Sequence, residues 1–479
     1  MGINLIPEQW HWLATFYLLS EWGVRLVMLF WVPTRRSPEA AKGWLLLIFF
    51  LPWFGLLLYW LIGRPNGPHW RVQRREQLAL AMQPVAERLS ASPNIEHPVL
   101  TPELAASVAL AENMSRLPIV GGNAIELLPV YQASINRLAA DIDAAQHHVH
   151  LLYYIFEVDE ATEPVLAALA RAVQRGVACR VLVDAIGSRQ MIPTLFARLK
   201  PAGVQCLAML DDGILYNRTD LRNHRKIAVI DGRIGYTGSQ NLVSPRFKEG
   251  ITYEEMVVRV TGPVVLAMQF VFASDWYQET EEVLDAPECF PNPDLTGKVK
   301  AQAVPSGPTY AQLANQRLVI TLLHGARERI VMTTPYFIPD APLYSALAVA
   351  VLRGVEVHLV VSEKEDQFLV GQAQKSYYDD LLEAGVTIHL FQGNFLHAKH
   401  LTIDDQVAMI GSSNMDIRSF LLNCEISLMI YDPAVTRQLQ QEQSRYFARS
   451  RVLTKEEWDQ RGYWAELTQN TARLMSPLL

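Results

Sequence analysis

One stretch of this chain repeats another at a nearly constant offset. Arg175-Gly176-Val177 returns as Arg353-Gly354-Val355, and Ala202-Gly203-Val204 returns as Ala384-Gly385-Val386. The hydrophobic pattern repeats with them. A strand-like run at 148–156 (HVHLLYYIF), a helical run at 162–175 and a strand-like run at 178–184 (ACRVLVD) reappear as 327–338 (RERIVMTTPYFI), 342–353 and 355–361 (VEVHLVV). Strands separated by helices of this length predict an α/β layer. The sequence therefore predicts two duplicated α/β halves, 123–284 and 309–479, the second ending in a C-terminal tail. Between them lies a linker, 285–308, marked by Pro287, Pro291, Pro293, Pro305 and Pro308.

The chemistry sits late in each copy. His224, Lys226 and Asp231 form H-x-K-x4-D, followed by Gly238-Ser239-Gln240-Asn241. His397, Lys399 and Asp404 repeat the pattern, followed by Gly411-Ser412-Ser413-Asn414. The glycine and the asparagine each fall at the same distance after the histidine in both copies. A single H-x-K pair on a strand is weak, but two complete copies at one spacing are not coincidence. On a strand, His and Lys at i and i+2 share a face. One surface then offers a nucleophile or proton carrier beside a fixed positive charge, and Ser239, Asn241, Ser412 and Asn414 add neutral donors. Two such surfaces together suit the charge on a phosphodiester in a pentacoordinate state. One imidazole attacks phosphorus while the other protonates the leaving oxygen. With two lysines supplying charge, no metal and no cofactor are expected at this site.

Asp231 and Asp404 complete the motif and are counted with the catalytic set. However, Asp231-Gly232 and Asp404-Asp405 are turn-type dipeptides between apolar strands, which favours turn shaping over substrate contact. Carboxylates that could orient the imidazoles are Glu255, downstream of His224, and Glu425, at a similar remove from His397; each opens a strand-like run. Glu254 is an alternative to Glu255. The remaining histidines, among them His147, His148, His150, His324, His358, His389 and His400, have no paired motif and are expected to be ordinary surface or core residues. Four cysteines (Cys179, Cys206, Cys289, Cys424) lie far apart without a CxxC pair, which argues against a zinc site or a disulfide scaffold.

The front of the chain is different in kind. Residues 10–32 are mainly apolar and 44–62 are charge-free, each long enough to cross a bilayer core of roughly 30 Å. Trp10, Trp12, Trp31, Trp44, Tyr59 and Trp60 sit near their ends, as interfacial anchors do. Residues 1–66 thus predict a two-helix transmembrane hairpin, with 67–122 as a connector. Glu21 and Arg25, at i,i+4, are placed to pair on one face of the first helix. Pro52 permits a bend in the second. Residues 1–75 hold eight Lys/Arg against three acids, so the rest of a chain of net charge -7 is strongly acidic. That asymmetry points to membrane lipids as partners and away from nucleic acid.

The paired motifs resemble the phospholipase D superfamily over residues 120–450. Asn223-His224-Arg225-Lys226-Ile227 with Val229-Ile230-Asp231-Gly232, and Asn414-Met415-Asp416-Ile417-Arg418-Ser419-Phe420 with Asn423 and Glu425, are similar to bacterial cardiolipin synthases of the phospholipase D type. The resemblance implies two α/β sandwich halves meeting at a shared site, and a multi-pass protein of the bacterial inner membrane. It also implies condensation of two phosphatidylglycerols into cardiolipin and glycerol. By position, His224 would be the nucleophile and His397 the acid and base. Lys226, Lys399, Asn241 and Asn414 would hold the phosphate. Glu255 departs from relatives that often carry Asp there. The alternative is the same chemistry used for hydrolysis of phospholipid or, less favoured by the acidic body, of nucleic acid.

Overall fold

The computed structural model describes residues 8–36, 38–63, 69–211, 220–308, 310, 313–474 and 476. The predicted boundaries at 66, 67 and 309, and the last residues of the tail, lie outside these. The chain forms two compact units, Met1–Glu76 with Asp212–Leu221, and Gln77–Asp211 with Arg222–Leu479.

In the first unit, α1 (Glu8–Trp31) is one continuous helix, and its stretch Trp12–Trp31 is apolar and long enough to cross a membrane. Glu21 and Arg25 pair at 3.2 Å as expected. The second apolar segment is not the single spanning helix predicted from its length. It breaks into α2 (Pro38–Phe50) and α3 (Pro52–Ile62), 13 and 11 residues long, each too short to cross alone. The cause is Pro52, which has no N–H to continue the ladder and starts a new helix at its first position. Carbonyls freed at the break need donors in an apolar setting, and Arg25 Nε supplies one to Phe49 O at 3.0 Å.

The second unit is built on strands repeated in order. The first half contributes β1 (Val120–Leu128), β2 (His148–Tyr153), β3 (Ala178–Asp184), β4 (Gln205–Met209), β5 (Arg222–Asn223), β6 (Ile227–Ile230), β7 (Ile234–Gly238), β8 (Tyr253–Glu254) and β9 (Val257–Thr261). The second contributes β10 (Val299–Ser306), β11 (Arg329–Thr333), β12 (Phe337–Ile338), β13 (Glu356–Ser362), β14 (Thr387–Phe391), β15 (Phe395–Leu396), β16 (His400–Ile403), β17 (Val407–Gly411), β18 (Met415–Asp416), β19 (Asn423–Ile430) and β20 (Ser450–Leu453). The sheet order is β4-β3-β2-β6-β7-β9-β1 in one half and β14-β13-β11-β16-β17-β19-β10 in the other. These are the same topology twice, joined where β1 pairs antiparallel with β10. β20 extends the second half at its outer edge.

The duplication reaches single contacts. Gly203 and Gly385 both take left-handed backbone, φ +89° and +91°. A Cβ at either would press on one valine methyl, Val173 in the first half and Val351 in the second. Only glycine meets both demands without strain. β2, β3 and β4 run parallel, linked by the helices Glu163–Gln174 and Ile192–Leu199. β2 is buried along its whole length, as a strand covered on both faces is. The connector's Met82, Val85 and Leu89 are buried in the core against the helix Val264–Thr280 and its neighbours, so this apolar stripe packs on the body.

Candidate active site

Two short ladders draw each H-x-K segment out of its own sheet. β5 pairs in parallel with the start of β19 from the other half, Arg222 opposite Asn423 and Asn223 opposite Cys424. β15 does the same with β8, Phe395 opposite Tyr253 and Leu396 opposite Glu254. The histidines therefore occupy extended links just before β6 and β16, where the sequence had predicted them within a strand. His224 N–H donates to Cys424 O (2.9 Å) and His397 N–H to Glu254 O (2.7 Å). The residue after each acceptor faces the imidazole of the opposite half. His224 Nδ1 lies 3.0 and 3.1 Å from the Glu425 oxygens, and His397 Nδ1 lies 2.7 Å from Glu255 Oε1. Sequence spacing had matched each glutamate to the histidine of its own copy. The structure exchanges them, because the ladders cross between halves. Glu254 is engaged elsewhere, by Arg449 and Asn394.

Both lysines curl back onto their own motif. Lys226 Nζ donates to His224 O and Lys399 Nζ to His397 O, each at 2.7 Å. Lys399 Nζ also sits 3.1 Å from His397 Nε2. All four side chains are buried. Burial pushes Lys226 down to about 7, and Glu425 opposes this while Lys399 adds to it. Lys399 falls to about 8, again by burial, with Glu255 and Glu425 opposing. Burial also takes His224 down to about 4 against the pull of Glu425, and lowers His397 against Glu255. In the free site the imidazoles are therefore neutral, with Nδ1–H donated to a carboxylate. That leaves the Nε2 lone pair as the reactive atom.

The other predicted residues divide. Asn241 Oδ1 accepts from the Ile155 N–H at 3.2 Å, which turns its amide nitrogen away from that strand end. Asn414 Oδ1 is buried with no partner among the described residues, free for a ligand. Ser239 and Ser412, expected as phosphate-binding or supporting donors, bond to the segments that carry the glutamates. Ser412 Oγ donates to Glu425 Oε2. Each hydroxyl also accepts, at 3.0 Å, from the backbone N–H that follows the opposing glutamate, Met256 or Ile426. Ser412 thus fixes the Glu425 carboxylate and Ser239 the backbone beside Glu255, because both serines point into the β7–β9 and β17–β19 seams. Asp231 and Asp404 are set apart from the catalytic group. Each sits in a hairpin turn at positive φ (53° and 49°), one β-strand of about 13 Å beyond its lysine. Asp231 accepts from the N–H groups of Gln146, His147 and His148, and Asp404 from those of Arg327, Glu328 and Arg329. These carboxylates tie the turn to the start of β2 or β11.

Several site residues were not anticipated. The last side chain of the equivalent strands β3 and β13 latches the residue before each histidine: Asp184 accepts from Asn223 N–H (2.7 Å), and Ser362 Oγ from Leu396 N–H (2.6 Å). Tyr154 stands edge-on to His224 with ring centres 4.9 Å apart. Tyr253 and Tyr336 stand edge-on to His397 at 5.6 and 6.3 Å. Both of those hydroxyls converge on Asp366, Tyr336 at 2.7 Å and Tyr253 at 3.1 Å. Arg225, fully buried, pairs with Asp275 and donates across the seam to Glu425 O and Ser306 O. Tyr154 and Tyr336 stand at the same offset as the two Ala-Gly-Val tripeptides, so that pair was open to detection by the duplication itself.

Comparison with known proteins finds relatives along nearly the whole chain. Residues 138–276 and 319–447 match the family described as Cardiolipin synthase, PLD-like domain, and residues 24–64 match the phospholipase D-nuclease N-terminal family. Cardiolipin synthase A of Yersinia pseudotuberculosis serotype O:1b is 35% identical over 485 residues, covering 98% of each chain. The Yersinia pestis bv. Antiqua protein of the same name is equally similar. Among solved structures, the phosphatidylserine synthase of Haemophilus influenzae Rd KW20 superposes with a TM-score of 0.58 at 16% identity, covering 78% of this chain and all of that one. At that identity the likeness speaks for the fold.

Proposed function

The chain belongs to the cardiolipin synthase family of phospholipase D-like phosphatidyltransferases, and we propose that its two-histidine site condenses two phosphatidylglycerol molecules into cardiolipin and glycerol. The observation that carries the mechanism is the crossed pairing of His224 with Glu425 and His397 with Glu255. It presents two neutral imidazoles, each oriented by a carboxylate, around two buried ammonium groups.

In the first step His224 Nε2 attacks the phosphorus of one phosphatidylglycerol. The P–N bond forms, the P–O bond to the terminal glycerol breaks, and His397 gives that oxygen its proton. Lys226 and Lys399 balance the charge on the phosphoryl oxygens, the Asn241 amide nitrogen donates to them, and Asn414 Oδ1 accepts from a substrate hydroxyl. In the second step the free hydroxyl of another phosphatidylglycerol attacks the same phosphorus, His397 removes its proton and the P–N bond breaks. The anionic phosphodiester raises His397 from the lowered value burial imposes, so His397 enters the first step protonated at Nε2 and leaves it as the base of the second, while His224 enters neutral. The glutamates hold each imidazolium as it forms. His224 takes the nucleophile's role by the family's pattern, supported by the contact of its Nδ1 with both oxygens of Glu425.

The enzyme is membrane-associated, and α1 is its anchor in the bacterial inner membrane. The α2–α3 pair, bent at Pro52 and bonded to α1 through Arg25, suits a re-entrant segment.

The test is a lipid assay. Purified protein in detergent, given phosphatidylglycerol and a chelator, should release cardiolipin and glycerol. Phosphatidic acid as the sole lipid product would make the protein a hydrolase.

A further inference from the structure

Far from the catalytic pair, a cluster of potential metal ligands is assembled from two distant segments. His148 and His150 lie at i and i+2 on β2, so they share a face. Cys289 comes from the linker between halves. One ligand atom from each lies within 4.8 Å of the others, and all three residues are buried. In the sequence all three stand as ordinary residues, because cysteine spacing cannot reveal a site made by the fold.

Two observations raise this above chance proximity. His148 is 2% exposed, and neither of its ring nitrogens has a hydrogen-bond partner among the described residues. A buried imidazole with no partner on either side has lost its hydration without compensation. His150 is prepared as a ligand. Its Nδ1 is held by Gln269 Oε1 at 3.0 Å, and its ring stacks on Phe272 at 4.5 Å. This fixes the tautomer that leaves the Nε2 lone pair available, as a carbonyl acceptor behind a metal-bound histidine does. Arg180 Nη1 stands 3.4 Å from that nitrogen, and the same guanidinium is already paired to Glu282 at 2.8 Å. It can turn fully to the carboxylate when Nε2 is taken.

We propose that His148, His150 and Cys289 bind a thiophilic divalent cation of the Zn2+ class, which pins the linker to β2. Ligand atoms around a tetrahedral zinc lie about 3.5 Å apart, so side-chain shifts of roughly 1 Å close the set. Binding converts the Cys289 thiol to thiolate and releases its proton. Three protein ligands leave a fourth position open. The surrounding packing already brings the linker here. A Cβ on Gly232 would meet Cys289 O at 2.8 Å and Pro291 Cδ at 2.6 Å, and Asp231 in the same turn holds the His148 N–H. The role is structural. β2 runs from the cluster to Tyr153, and the next residue, Tyr154, touches His224, so about 13 Å of strand separates the nearer ligand, His150, from the residue against the catalytic histidine.

The experiment uses the full-length protein in detergent, stripped with chelator, and titrated with Co2+ and Zn2+. The expected result is one ion bound per chain, with a Co2+–thiolate charge-transfer band and tetrahedral d–d bands that Zn2+ displaces. Cys289→Ser should lose the thiolate band while remaining folded and active on lipid, and His148→Ala should lose stoichiometric binding. A Cys424→Ser control should keep both. Absence of a saturable ion, or a thiolate band that survives Cys289→Ser, overturns the proposal. Because these readouts are spectroscopic, they stand whatever the lipid assay shows.

Discussion

Glu255 belongs to the first half of the chain and His397 to the second, yet Glu255 Oε1 and His397 Nδ1 meet at 2.7 Å, and Glu425 returns the contact to His224. Each motif imidazole is held by a carboxylate of the other half. The duplication is therefore functional as a pair, and neither half holds a complete histidine–carboxylate unit.

Removing the charge of either glutamate tests that pairing. Glu425→Gln and Glu255→Gln should each lower kcat by about 10²- to 10⁴-fold with little change in folding, since the imidazole loses its fixed tautomer and its counter-charge. Steady-state rates with thermal melts distinguish this from a stability effect. Near wild-type turnover in either variant would remove the glutamates from the mechanism.

Asp366 acts on His397 through two tyrosines. Asp366→Asn should loosen the Tyr253 and Tyr336 rings and lower kcat by ~10- to 100-fold through misplacement of the imidazole, with KM nearly unchanged. Tyr336→Phe, which keeps the ring and loses the hydroxyl, should fall between this variant and wild type. A KM defect with normal kcat would assign Asp366 to substrate binding.

The motif aspartates should behave as structural residues. Asp231→Asn keeps a side chain that tolerates positive φ but loses the charge that gathers three N–H groups. It should cost about 1–3 kcal/mol in stability, and Asp404→Asn likewise, while kcat per folded molecule is retained. Denaturant unfolding combined with active-site titration measures the two separately.

The lysines set the alkaline side of the pH profile. Lys226, pushed down to about 7, and Lys399, down to about 8, are charged below those values and neutral above them. kcat/KM, which reports the free enzyme, should fall as pH rises through 7 to 8. Lys226→Arg keeps its charge at every such pH, so the alkaline fall of its residual activity should weaken. An unchanged alkaline limb in that variant would place the titrating group elsewhere.

Much of this arrangement is legible in the chain. The repeated Arg-Gly-Val and Ala-Gly-Val tripeptides announce two like halves, and the two H-x-K motifs at one spacing announce a shared site. Turn dipeptides at Asp231 and Asp404 favour turn shaping, although the motif counts those aspartates with the catalytic set. The exchange of glutamates is not legible, because the spacing from each histidine suits a partner in either half and only the β5–β19 and β8–β15 ladders decide. Asp366 stays hidden for a related reason. Its role depends on tyrosines at 253 and 336, brought to it from both halves. In the front segment, hydropathy reads length, while Pro52 decides whether that length is one helix or two.

The most direct measurement is the covalent intermediate. His397→Asn protein mixed with phosphatidylglycerol labelled in its phosphate, then quenched and digested, should carry an acid-labile phosphoryl adduct on His224. That is the predicted result: loss of His397 removes the acid of the first step and the base of the second, so the adduct forms slowly and is discharged slowly while the nucleophile remains. A label on any other residue, or a His224→Ala protein that still forms cardiolipin at the wild-type rate, would contradict the account.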